Sequence, residues 1–114
     1  MSSAILTTAQ VAVLIVSHDG ARWLPGVLEG LAEQGLDPRT PVVAVDTGSK
    51  DESAALLAPV ADVVDAPSST SYPAAVRRGL ERLDHVSAEG DDHEWIWLLH
   101  DDSRPAPGAL AALL

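Results

Sequence analysis

His100-Asp101-Asp102-Ser103 is the densest run of residues able to do chemistry in this chain. It follows an apolar stretch. On an extended segment residues 100 and 102 would point the same way. An imidazole beside a carboxylate suits a borderline divalent cation such as Mn²⁺, whereas Mg²⁺ would rely mainly on the Asp. Such a cation can bridge to a diphosphate and neutralise the charge that builds on it as it leaves. The same residues also read as a turn in which Asp101 and Asp102 cap the following segment and His100 is simply exposed.

Two further polar clusters stand after apolar runs: Ser17-His18-Asp19-Gly20 and Asp46-Thr47-Gly48-Ser49. The Asp46 carboxylate could accept hydrogen bonds from a base or a ribose. A strand-end Asp more often closes an Asx-type turn or caps a helix. Gly48 is expected to supply a backbone angle that a side chain would forbid. No G-x-x-x-x-G-K-S/T and no G-x-G-x-x-G occurs, so neither a P-loop nor the dinucleotide fingerprint is present.

These clusters need elements to carry them. Val11–Val16, Pro41–Asp46, Ala61–Asp65 and Glu94–Leu99 read as strands, the first two continuously apolar as in a buried parallel sheet. Between them lie helical spacings: Leu24, Val27, Leu28 and Leu31, stopped by Gly35 and Pro38; a short helix from Asp51 to about Leu57; and Tyr72, Val76, Leu80 and Leu83, with Pro73 in the first turn. Pro67 to Thr70 reads as a polar loop, Ala88 to His93 as an acidic one, and Gly108 to Leu114 as the start of a last helix. The alternation predicts an α/β fold, a Rossmann-like mostly parallel sheet with flanking helices. Residues 1–10 are expected to be a tail and 11–114 one domain. Ligands of such sheets bind beyond the carboxyl ends of the strands, where the three polar clusters would meet. Trp23, Trp95 and Trp97 are expected to pack, and His85 and His93 to be exposed.

Composition narrows the function classes. Hydrophobic residues make up 46% of the 114, but aromatic ones only 4%, so Val, Leu, Ile and Ala must build the core. Seven Lys and Arg against 17 Asp and Glu give a net charge of −10, which argues against nonspecific nucleic-acid binding. There is no Cys, hence no disulfide and no thiolate metal site. The first ten residues do not read as a signal peptide, and no apolar run approaches the ~20 residues of a membrane helix.

In order, these segments resemble the inverting family 2 glycosyltransferases, whose catalytic domain has the GT-A fold. Val11 to Gly20 looks like that family's opening strand and turn. Val43-Ala-Val-Asp-Thr-Gly-Ser-Lys-Asp-Glu-Ser53 is similar to its V-D-N-G-S-x-D-x-S segment. Ser71-Tyr-Pro-Ala-Ala-Val-Arg-Arg-Gly79 resembles the G-F-A-x-A-x-N-x-G helix start of its rhamnosyltransferase-like members. Trp97-Leu-Leu-His-Asp-Asp-Ser-Arg-Pro105 looks like the strand bearing D-x-D.

The resemblance implies a donor-binding half that takes a nucleotide diphosphate sugar, UDP- or dTDP-linked, and Mn²⁺ or Mg²⁺. Asp46 would hydrogen-bond the base. Ser17, His18 and Asp19 would line the nucleoside pocket, with Gly48 in the turn beside it. Asp101 would lie near ribose or donor sugar, and Asp102, with His100, would hold the metal. A saccharide or lipid-linked acceptor and a role in cell-wall polysaccharide biosynthesis are implied too. His100 departs from the usual first Asp, so metal affinity would be pH-sensitive, because a ligating imidazole must be neutral. Arg77 replaces an expected Asn; Arg77 or Arg78 could meet the nucleotide or diphosphate, or both could lie on a solvated helix face. Ser71 replaces a Gly.

The family's general base usually comes well after the D-x-D strand, and we expect it beyond residue 114. The chain ends inside an apolar helix, from which we expect the natural protein to continue, in the cytoplasm or at the cytoplasmic face of a membrane. Two rivals remain. A sugar-phosphate nucleotidyltransferase would want a Gly-rich, basic loop after the first strand, and that loop here is Ser-His-Asp-Gly. A noncatalytic nucleotide-binding module would self-associate into a homo-oligomer through exposed apolar edges.

Overall fold

A computed structural model describes residues 11–86 and 95–113. The tail at residues 1–10, the acidic loop at 88–93 with His93, the expected strand start at Glu94, and Leu114 lie outside the described residues. Strands and helices alternate: β1 (Val11–Ser17), α1 (Leu24–Ala32), β2 (Val42–Thr47), α2 (Ser53–Leu57), β3 (Asp62–Ala66), α3 (Tyr72–Val86), β4 (Trp95–His100) and α4 (Ala109–Leu113). The four strands form one sheet in the order β3-β2-β1-β4, every neighbouring pair parallel.

β1 is the centre of the molecule. All seven of its residues are buried, as its unbroken apolar run predicts. Its side chains alternate between two cores. Ala12, Leu14 and Val16 join Val43, Val45, Ala66, Ala75 and Leu83 under α3. Val13 and Ile15 join Ala44, Leu24, Leu31, Leu57 and Leu99 on the side of α1 and α2. Helix α3 lies close to the sheet because Gly79 has no side chain; a Cβ there would collide with Leu14. Gly35, at φ 68°, ends α1 as its position predicts.

The strand order carries a consequence for function. The chain steps outward from β1 to β2 to β3, then returns to place β4 on the other side of β1. The switch point between β1 and β4 is where open α/β sheets leave a crevice for ligands.

The expectation for the tryptophans is corrected in part. Trp97 packs against the α1-side core. Trp95 and Trp23 stay about half exposed, at 56% and 48%. Trp95 begins β4 at the edge of the described sheet and lines a shallow apolar pocket with Val11, Leu110 and Leu113. Trp23 sits at the start of α1 under the Arg22 guanidinium, 5.6 Å from its ring centre. His85 is exposed, as expected. No described helix is long and apolar enough to cross a membrane.

Candidate functional site

The carboxyl ends of β1, β2 and β4 bring the three polar clusters to one edge. The β1 turn is held by its neighbours' side chains. Four successive backbone amides are taken: His18 N–H by Asp101 Oδ2 (2.8 Å), Asp19 N–H by Ser49 Oγ (2.8 Å), Gly20 N–H by Ser53 Oγ (2.9 Å) and Ala21 N–H by Asp51 Oδ2 (3.1 Å). Two of these continue as relays. Ser49 Oγ donates to Asp46 Oδ1, and Ser53 Oγ donates to Asp51 Oδ1, each at 2.5 Å. Asp19 adopts φ 47°, a backbone state that Asp tolerates, and accepts from Lys50 N–H at 2.7 Å.

Asp46 is therefore built as the turn its position at a strand end favours. It is buried, and both carboxylate oxygens accept from Ser49, Oδ2 from the backbone at 3.3 Å. Gly48 takes φ 62°, and a Cβ there would lie 2.7 Å from Ser68 N, so the angle and the close approach both require glycine. Asp51 is held below its ordinary carboxylate value by the Ser53 hydroxyl, against the opposing effect of desolvation. Ser17 is fully buried; among the described residues its Oγ has no hydrogen-bond partner, and its register beside Asp46 places it on the α1 and α2 side.

On the α3 side a cavity of about 330 Å³ opens, within the range of small-ligand sites. Val16 and His18 come from β1 and its turn, Thr47 from β2, Ser68 and Thr70 from the loop after β3, Tyr72 and Ala75 from α3, and His100 and Asp101 from the end of β4. Among these lining residues none is Lys or Arg. The His18 ring is fixed by Nδ1, which donates to the Thr47 carbonyl at 2.6 Å; a carbonyl only accepts, so this nitrogen carries the proton. The His100 ring stacks flat on Tyr72, with centroids 4.6 Å apart and planes 7° from parallel.

Strand β4 ends at His100, and residues 101 and 102 turn, with Ser103 N–H donating to the His100 carbonyl at 3.2 Å. The expectation of an extended segment through residue 102 is corrected accordingly. The turn still gathers the side chains: ligand atoms of His100, Asp101 and Asp102 all lie within 4.8 Å of one another. One imidazole nitrogen and two carboxylates are a donor set that fits Mn²⁺. Asp101 uses one oxygen for the His18 amide and keeps the other. Its side chain fills the space over Gly20, where a Cβ would collide with it. The segment after the turn is pinned to α1. Arg104 pairs with Glu29 at 2.9 Å, and Gln34 donates to Ala106 O at 2.8 Å and accepts from Leu110 N–H at 3.0 Å.

Of the expected site residues, His18, His100 and Asp101 meet at the cavity, and Asp102 stands exposed beside it. Asp19 and Gly48 belong to the adjoining turns. Arg77 is exposed on α3 and is not among the lining residues. The sequence reasoning omitted Ser68, Thr70 and Tyr72. The rule that ligands gather past strand ends, applied to β3 as it was to the other strands, points to the Pro67–Thr70 loop.

A comparison with curated proteins gives no significant match. A model of one family, Glycosyl transferase family 2, matches residues 12–114. The four-stranded parallel sheet with its flanking helices is the Rossmann-like arrangement of the N-terminal half of a GT-A fold. The match takes in all of β1 but its first residue, all three polar clusters and nearly the whole chain: the protein belongs to glycosyl transferase family 2.

Proposed function

We propose that this chain binds the nucleotide part of a nucleotide diphosphate sugar in the cavity between β1, α3 and β4, and that a divalent cation at His100, Asp101 and Asp102 holds the diphosphate. The observation that carries the reading is the pairing of that ligand group with a lining that has no Lys or Arg. A diphosphate entering a chain of net charge −10 needs a cation, and the acidic turn is where one fits. When bound, the cation would supply charge neutralisation for the leaving diphosphate. The family resemblance supports a UDP- or dTDP-linked donor and a saccharide or lipid-linked acceptor.

The chain's own residues divide the work. Thr47 and His18 shape the wall next to β2, with the imidazole tautomer fixed by the Thr47 carbonyl. Ser68 and Thr70 offer hydroxyls to ribose or base. Asp101 is tied to the His18 amide, and Asp102 belongs to the ligand group, so neither is left to take a proton from an acceptor hydroxyl. On this reading the 114-residue chain binds donor, and with its general base expected outside these residues it should not turn over by itself. The occupied amides from His18 to Ala21 weigh against a nucleotidyltransferase, which would use that turn to gather a triphosphate.

Amide shift mapping during titration with UDP and Mg²⁺, a diamagnetic stand-in for Mn²⁺, tests the placement. Shifts should concentrate at His18, Thr47, Ser68, Thr70 and Asp101. Shifts confined to α1 and α2 would overturn it. A second reading has one observation in its favour: β4 is an edge strand with Trp95, Ile96 and Leu98 exposed, which suits self-association. Sedimentation that stays monomeric across a hundredfold concentration range would remove it.

A further inference from the structure

We infer that Tyr72 is a positioning residue for His100, acting through the stacked ring pair; this rests on the reading of His100 as a metal ligand. His100 is the last residue of β4, at the sheet edge, where a side chain has few neighbours to hold it. Helix α3 supplies the missing wall. Ser71 caps its start, with Oγ accepting from Ala74 N–H at 3.2 Å, and Pro73 sets the backbone of its first turn. Gly79 and the fully buried Ala75 let the helix lie close to β1. The Tyr72 ring is thereby delivered flat against the imidazole, at 4.6 Å and 7°.

That separation lies in the range of favourable aromatic stacking. A flat stack permits the imidazole to slide but not to rotate out of plane. It therefore keeps a ring nitrogen within reach of the Asp101 and Asp102 oxygens. A ligand orientation set by a neighbouring group is the usual way that affinity is gained at a metal site. The phenol oxygen has no role in this arrangement, so Phe should serve as well as Tyr.

The test uses the 114-residue chain with Tyr72→Leu, Tyr72→Phe and His100→Ala. Tyr72 is 39% exposed, so the variants should fold, as far-UV circular dichroism would show. Without metal, the ring-current shift of the His100 imidazole protons should be lost in Tyr72→Leu and kept in Tyr72→Phe. Mn²⁺ affinity, read by the fall in free-ion paramagnetic resonance signal, should drop about tenfold in Tyr72→Leu, the scale of outer-shell losses at metal sites. It should stay near wild type in Tyr72→Phe. The double variant Tyr72→Leu with His100→Ala should bind no more weakly than His100→Ala alone. Wild-type affinity in Tyr72→Leu alongside a loss in His100→Ala would overturn the inference and leave the metal reading standing. Wild-type affinity in both His100→Ala and Asp102→Ala would remove the metal reading and the inference with it.

Discussion

At the β1 and β2 ends, the backbone amides from His18 to Ala21 all meet side-chain oxygens, and Asp46 and Asp51 are spent on Ser49 and Ser53. Across the cavity, the Asp102 carboxylate after β4 and the hydroxyls of Ser68 and Thr70 after β3 make no hydrogen bond among the described residues. Both regions look alike as strings of Asp, Ser, Gly and His. The difference is where their polar capacity goes. A carboxylate whose lone pairs are filled from within holds a loop still; one left open can hold a ligand. Asp101 joins the two, since its carboxylate both accepts from the His18 amide and belongs to the ligand group.

The sharpest way to break this division is at its seam. Gly20→Val would put side-chain atoms where Asp101 sits. Overpacking of this kind costs about 1–3 kcal/mol. We expect a lower urea midpoint together with loss of nucleotide and metal binding, because both regions depend on that contact. Unchanged binding would mean that Asp101 is not the link.

Asp46→Ala and Asp102→Ala should separate the regions. Removing Asp46 strands the Ser49 hydroxyl and amide, a loss of about 1–3 kcal/mol in stability by urea unfolding. Nucleotide affinity of the folded fraction should hardly change. Removing the exposed Asp102 should leave stability within about 0.5 kcal/mol while abolishing Mn²⁺ binding.

On the open side, Thr70→Val deletes one hydroxyl from the cavity. A single neutral hydrogen bond is worth roughly 1 kcal/mol, so nucleotide affinity should weaken about fivefold at constant stability. The smallest effect is a pH effect on the laced side. The Ser53 hydroxyl favours the ionised form of Asp51 and lowers its pKa in the folded chain from an ordinary 3.8. A lowered folded value contributes stability that is present above the unfolded value and is lost as pH falls through the folded one. The stability gap between wild type and Asp51→Asn should be constant at neutral pH and shrink below about pH 4, read from unfolding curves at stepped pH.

Much of this arrangement is legible in the linear order of residues. Val11–Val16 announces a strand buried on both faces, and the turn clusters mark the strand ends. What periodicity does not reveal is strand order. That β4 returns beside β1 rather than β3 depends on long-range packing, and with it goes the switch-point crevice between His18 and Asp101. The stacking of Tyr72 on His100 was hidden for the same reason, since the two residues lie far apart in sequence and meet only through how closely α3 lies on the sheet. Asp46 shows the opposite limit. Its family resemblance suggests a base contact, while its local sequence, with Ser49 three residues on, favours the turn that the structure contains. The exposure of Trp95 follows from its edge strand, which composition could not disclose.

The central claim is that nucleotide binding here depends on a cation at the end of β4. Calorimetric titration of UDP into wild type and Asp102→Ala, each with and without Mn²⁺, tests it most directly. The account predicts weak binding to wild type that requires Mn²⁺ and disappears in Asp102→Ala. Binding of equal strength without Mn²⁺ or in the variant, or no binding to wild type at millimolar nucleotide, would contradict it.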